Sequence, residues 1–149
     1  MAFRKLLIIP LIAAFAVLLI ACGSGKAIPE ANSVASLGES LKAAGLRVAG
    51  PNPNDVLSSR FFSVPGVQFT ASGEIVYAYE FESDDEVAAQ RDLVSPDGYG
   101  IGLKYVNWTA APSFYQNGRL IVIYEGEAQL MLDTLVAAMG ERFAGTDPE

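Results

Sequence analysis

Phe114-Tyr-Gln-Asn-Gly118-Arg-Leu-Ile-Val-Ile-Tyr124-Glu125 is the stretch that decides the fold. Asn117-Gly118 between apolar flanks predicts a β-hairpin, because a type I′ turn needs positive φ at both central residues and Asn-Gly supplies it. After Arg119 the run to Tyr124 is wholly apolar. That predicts a central strand covered on both faces, or covered on one and paired at an interface. Upstream, Phe69-Thr-Ala-Ser-Gly73-Glu-Ile-Val-Tyr-Ala-Tyr79-Glu80 lies over the same stretch without a gap. Phe, Gly, Tyr and Glu coincide, and each copy runs on into a helix. Two readings stay open: a diverged duplication, or two hairpins obeying the same turn rules.

Working outward, Val67, Phe69 and Ala71 alternate with polar residues, Ser72-Gly73 is a turn, and Glu74 to Glu82 returns as a strand. Its Ile75, Tyr77, Tyr79 and Phe81 share one face. Val76, Ala78, Glu80 and Glu82 share the other, so a half-solvated sheet is expected. Ser83-Asp84-Asp85-Glu86 reads as a capping box opening a helix that runs to about Val94. Tyr99 to Thr109 reads as a further strand, Ala111 to Tyr115 as irregular or edge, and Glu127 to Met139 as the last helix. Before the first hairpin, Ser33 to Gly45 shows a helical stripe of Val34, Leu37, Leu41 and Ala44. Leu46 to Ala49 is a short strand and Arg60 to Val64 is extended. The expected fold is α+β: an antiparallel or mixed sheet of about five strands with the helices packed on one face, arranged as two ββα-like units after an N-terminal helix. The domain is expected over 33–145, with 146–149 a frayed tail.

Composition narrows the chemistry. There is no histidine among the 149 residues and only one cysteine, Cys22. Histidine-based triads, imidazole bases and histidine-ligated zinc are therefore excluded. Of the 10 cations, Arg4 and Lys5 precede an apolar run. The chain beyond that run carries eight against 17 anions, a net charge of −9. Such a domain is a poor nucleic-acid binder, since phosphate neutralisation needs clustered Lys and Arg. No Gly-rich phosphate loop, Ser-x-x-Lys pair or G-x-S-x-G elbow is present.

The N-terminus supplies an address. Met1 to Lys5 is a short basic head, and Leu6 to Ala21 is apolar but shorter than the ~20 residues a spanning helix needs. It ends Leu19-Ile20-Ala21-Cys22, which resembles the lipobox of bacterial lipoproteins. The resemblance implies a signal peptide over 1–21, cleavage before Cys22, diacylglycerol on the Cys22 sulfur and acylation of the new amino group. No other cofactor is expected. Residues 22–32 would then be a lipidated tether. Gly23 stands where Asp would commonly signal inner-membrane retention, which favours an outer membrane where one exists; otherwise the expected location is the outer face of the cytoplasmic membrane. The segments PSFYQNGRLIVIYEG and FFSVPG are similar to a group of small exported bacterial lipoproteins to which no activity is attached.

Within the domain, Trp108, Phe114, Tyr115 and Arg119 gather near Pro112 in sequence. Aromatic residues with an arginine suit a binding hot spot, or else cap the open end of a core. Arg119 is expected to pair with a carboxylate across the sheet. Glu80, Glu82 and Glu125 are the carboxylates available for acid–base work, or form a solvated face. The expected function is a lipid-anchored cell-envelope protein with a non-enzymatic binding domain for an envelope protein or small ligand. The alternatives are a ligand-capturing lipoprotein serving a transporter and a carboxylate-dependent hydrolase. A deep pocket would favour capture, a flat exposed aromatic patch a protein partner, and buried carboxylates in a cleft catalysis.

Overall fold

The computed structural model describes residues 26–51, 56–57 and 60–147. The expected signal segment 1–21, the lipidation residue Cys22 and residues 148–149 of the expected tail lie outside the described residues. In chain order the elements are α1 (Val34–Ala43), β1 (Val48–Ala49), β2 (Val56–Leu57), β3 (Gly66–Ala71) and β4 (Glu74–Glu80). They continue with α2 (Asp84–Arg91), β5 (Gly100–Ile101), β6 (Lys104–Tyr105), β7 (Pro112–Asn117), β8 (Leu120–Glu125), α3 (Gln129–Met139) and β9 (Ala144–Gly145).

The class is α+β, with an antiparallel sheet in the order β1-β3-β4-β8-β7-β9 and β2 sharing the β3 edge with β1. The four longer strands β3, β4, β8 and β7 form its body. β8 is central, pairing β4 through Ala78↔Val122 and β7 through Tyr115↔Val122. Leu120 to Tyr124 are all fully buried, as an apolar run of that length requires.

The two-sided burial of β8 fixes where the helices go. Leu120, Val122 and Tyr124 face one core with Phe69, Val76, Ala78 and Tyr115, roofed by Leu37 and Leu41 of α1 and by Met131, Leu135 and Ala138 of α3. Ile121 and Ile123 face the other core with Tyr79, Phe81 and Phe114, closed by Phe61, Phe62, Ile101 and Val87 of α2. The expectation of all helices on one face is thus corrected: α2 lies on the face opposite α1 and α3. Fully burying an aliphatic side chain is worth about 1.5–3 kcal/mol, so neither face of β8 can be left to water. β4 is likewise not half-solvated, because Val76 and Ala78 lie under α1 and α3.

Capping chemistry marks the helix starts. Ser33 Oγ accepts from Ser36 N at 3.2 Å and Ser36 Oγ accepts from Ser33 N at 2.9 Å. Ser83 Oγ accepts from Glu86 N, while the Glu86 carboxylate reaches back to Glu82 N rather than to Ser83 N. α3 has no side-chain cap at Ala128. The Tyr124 hydroxyl takes that place, accepting from Ala128 N at 3.0 Å and donating to Glu74 Oε2 at 2.7 Å. Burial, followed by the bond to Glu74, pushes this phenol up to about 12.

The packed chain is longer than 33–145. Ala31 is fully buried and donates its N–H to Ala138 O at 2.8 Å, so the expected tether is docked by this point. At the other end Thr146 N–H donates to Pro112 O and Arg142 pairs with Asp147, so the expected frayed tail is held as far as Asp147. Three further segments depart from expectation. Arg60 to Val64 is a bent connection and α2 stops at Arg91. The expected strand Tyr99–Thr109 folds back on itself as the small β5–β6 hairpin, turning at Gly102-Leu103. Ala111–Tyr115 is largely regular: Pro112–Asn117 is β7, paired with β8 and, through Ser113 and Phe114, with β9.

The hairpin turns also differ from expectation. Asn117 pairs with Leu120, so the two-residue loop is Gly118-Arg119. Only Gly118 has positive φ (54°), the type II′ signature. The type I′ geometry occurs instead at Ser72-Gly73, with φ of 53° and 95°. Replacing Gly118 with Val is therefore expected to cost about 1–2 kcal/mol, the price of a β-branched residue in the left-handed region. Asn117→Val loses only an exposed bond from Nδ2 to Glu30 Oε1 and should cost less than half as much. Urea denaturation midpoints of the two variants check this.

The turn difference settles what the sequence repeat means in space. Gly73 is the second residue of its loop and Gly118 the first, so the gap-free alignment is one residue out of step with the hairpins. Since strand side chains alternate, a one-residue slip reverses the face. Tyr79 and Phe114 lie in the α2 core, whereas their sequence counterparts Tyr124 and Phe69 lie in the α1–α3 core. Equivalent letters thus occupy opposite layers.

Candidate functional site

The four aromatic and basic residues singled out in the sequence do not converge. Phe114 is fully buried in the α2 core, and Tyr115 is buried on the opposite face of β7. Burial raises the Tyr115 phenol above its ordinary range. Arg119 sits exposed in the β7–β8 turn, where Nη1 donates to the Glu82 main-chain oxygen at 2.6 Å. This replaces the expected carboxylate pair. Tyr115 and Trp108 line separate clefts, Tyr115 one beside α3 with Gln129 and Asp133, and Trp108 one with Tyr99 and Glu127. Trp108 Nε1 donates to Gly98 O at 2.9 Å, and the Trp108 ring packs on Phe61 at 5.3 Å and edge-on to Phe114 at 6.0 Å.

Two of the three candidate carboxylates serve separate structural ends. Glu80 Oε2 accepts from Val34 N at 2.9 Å, at the positive N-terminus of α1. Glu125 Oε1 holds the 109–110 loop, accepting from the Thr109 hydroxyl at 2.6 Å and from the Thr109 and Ala110 N–H groups. The third, Glu82, meets Arg119 through its main-chain oxygen rather than its carboxylate.

Sequence reasoning missed the surface built by the short β5–β6 hairpin. Leu103 at its tip is fully exposed, Tyr105 is 77% exposed and Leu93 nearby is 43% exposed. Tyr99 stacks on Tyr105 at 5.9 Å with 23° between the rings. Beside the hairpin runs an open groove of about 450 Å³ lined by Arg60, Phe61, Lys104, Tyr105, Val106 and Asn107. It carries two cations and no carboxylate, in a chain where anions outnumber cations 17 to 10. Lys104 Nζ donates to Arg60 O at 3.3 Å, and the Arg60 guanidinium lies over the Phe61 ring at 5.1 Å. In the sequence the segment reads as one strand, with Ile101, Leu103 and Tyr105 alternating against Gly102, Lys104 and Val106.

On the other side of Trp108 lies a cleft of about 290 Å³ lined by Tyr99, Trp108, Thr109, Glu127 and Asp147 among others. Neither depression is deep or enclosed. Among the described residues no group of three or more Cys, Asp or Glu is placed to hold a metal, and no helix is long and apolar enough to cross a membrane. Comparison with family models, with curated proteins and with solved structures finds no match for the chain.

Proposed function

We propose that the chain is a lipid-anchored cell-envelope protein whose domain is a non-enzymatic protein-docking module. The anchor reading is supported by the sequence: a basic head, the apolar run Leu6 to Ala21, and Cys22 as the only cysteine. Multiple acyl chains give stable anchoring where one gives only marginal binding. The docking reading is carried by the β5–β6 hairpin, which holds a leucine fully in water beside a stacked tyrosine pair. Contiguous exposed apolar surface with a polar rim marks interaction sites, and tyrosine and arginine are enriched where binding energy concentrates. With Arg60 and Lys104 flanking the tip, the complementary partner surface is an apolar depression rimmed by carboxylates.

The anchor is checked by labelling cells with a radioactive fatty acid. Cys22→Ser should abolish incorporation and leave the precursor unprocessed; unchanged labelling removes the anchor. The docking reading is checked with a photo-crosslinking amino acid at Tyr105 in the full chain in its own membranes. A discrete protein adduct is expected, and Leu103→Glu should reduce its yield about tenfold while the unfolding midpoint stays within about 0.5 kcal/mol of the parent. Adducts to lipid alone, or an adduct indifferent to Leu103→Glu, would overturn the reading.

A further inference from the structure

We propose that the cleft beside Trp108 is a site for a small quaternary ammonium ligand. The cleft adjoins the docking hairpin and shares Tyr99 with its tyrosine stack. Two aromatic side chains line the cleft, Tyr99 and Trp108, and both are held in place. The indole is fixed by its bond to Gly98 O and by packing on Phe61 and Phe114. Tyr99 is backed by its stack on Tyr105, and its N–H is bonded to Asp97 Oδ1 at 3.1 Å. A cation over the face of Trp or Tyr is attracted by the ring quadrupole, and aromatic-lined sites suit quaternary ammonium groups. Rings already immobilised lower the ordering cost of binding.

The carboxylates around the cleft decide which cation fits. Glu127 and Asp147 line it. Asp97 lies beside Tyr99, and its bonds from the Ser95 hydroxyl and Tyr99 N–H hold it below the usual carboxylate range. Glu125 sits behind Thr109. The local field is therefore negative. One oxygen of Glu125 holds the 109–110 loop, one oxygen of Asp97 accepts from Ser95 and Tyr99, and one oxygen of Asp147 pairs with Arg142. Exposed Glu127 adds a further anion to the cleft's lining. A primary ammonium brings three N–H donors and needs three acceptors. A quaternary ammonium brings none, and is held by ring faces and field alone. Two fixed aromatic rings in a negative field match the second kind. The volume, about 290 Å³, is at the small end of the range for ligand sites.

Trp108 is the only tryptophan in the chain, so the tryptophan emission comes from a residue of this cleft. The full chain, solubilised in a nonionic detergent, is titrated with choline, with the neutral isostere 3,3-dimethyl-1-butanol, and with potassium chloride. Choline is expected to change Trp108 emission saturably, while the other two leave it unchanged. Glu127→Gln and Tyr99→Leu are each expected to weaken the response about tenfold. Glu127 is exposed, so its variant tests the site even where Tyr99→Leu disturbs the hairpin stack. The proposal is overturned if choline gives no saturable change, if the neutral isostere or the salt reproduces it, or if Glu127→Gln keeps the parent affinity.

Discussion

Replacing Phe114 with Ala is expected to destabilise the domain by about 3–5 kcal/mol. Its ring is fully buried at the centre of the α2 core, 6.0 Å from the rings of both Trp108 and Phe143. Phe114 lies in the middle of β7, paired with Ile123 on one side and Ala144 on the other, so the sheet cannot collapse into the vacated space. Small domains have about 5–15 kcal/mol in total, and this one substitution removes a large part of it. In urea denaturation the midpoint should fall sharply while the slope stays constant. A surface binding residue would behave oppositely, changing stability by no more than about 0.5 kcal/mol. The same experiment therefore tells a core aromatic from a binding aromatic.

Gly66→Ala is expected to cost about 1–3 kcal/mol through overpacking, and the partner residue supplies a control of opposite sign. A Cβ at Gly66 would lie 2.6 Å from Tyr79 Cζ, well inside contact distance of the ring. That ring cannot withdraw, because Phe62 meets it edge-on at 5.0 Å and Phe61 at 6.4 Å. The Tyr79 hydroxyl is buried without a hydrogen-bond partner among the described residues, and burial drives its phenol far above the ordinary range. An unsatisfied buried hydroxyl carries a desolvation cost of about 1–3 kcal/mol. Tyr79→Phe should thus be neutral or stabilising by about 1 kcal/mol. Gly66→Ala combined with Tyr79→Val should lose less than the sum of the single losses, because the clash is gone once the ring is. Chemical denaturation of the parent, the three single variants and the double variant checks both signs.

Much of the framework was legible where a local rule has a single cause. Ser33 and Ser83 announced their helices because a hydroxyl before an apolar or acidic turn has one obvious use. The run after Arg119 announced a central strand because an uninterrupted apolar segment has no face to give to water. The helix layers were illegible for a related reason. A two-faced strand requires cover on both sides, but nothing local in Val87 or Leu135 says which side each takes. The turn at Gly118 was misplaced by one residue because Asn-Gly and Gly-Arg are both sound turn pairs, and cross-strand packing chose between them. The candidate site was the least legible part. Trp108, Phe114 and Tyr115 are close in sequence, but strand alternation sends Phe114 and Tyr115 into different cores. Leu103 and Tyr105 fit a strand pattern, and only the reversal at Gly102-Leu103 turns them outward. Arg60 and Lys104 meet through tertiary folding, which sequence spacing does not encode.

The β4–β8 seam bears on how the chain assembles. β3–β4 and β7–β8 are each closed by two-residue loops, so each hairpin is a local event on a scale of about 1–10 μs. Joining them requires Glu80 to find Leu120 across everything between, including α2 and the β5–β6 hairpin. Closing that long intervening segment is an entropic toll levied before its contacts give anything back. The seam is therefore the natural bottleneck of folding. Until it zips, the strand destined for the middle of the molecule has one edge of unpaired N–H and C=O groups, flanked by apolar side chains. The chain is most exposed to self-association in that interval.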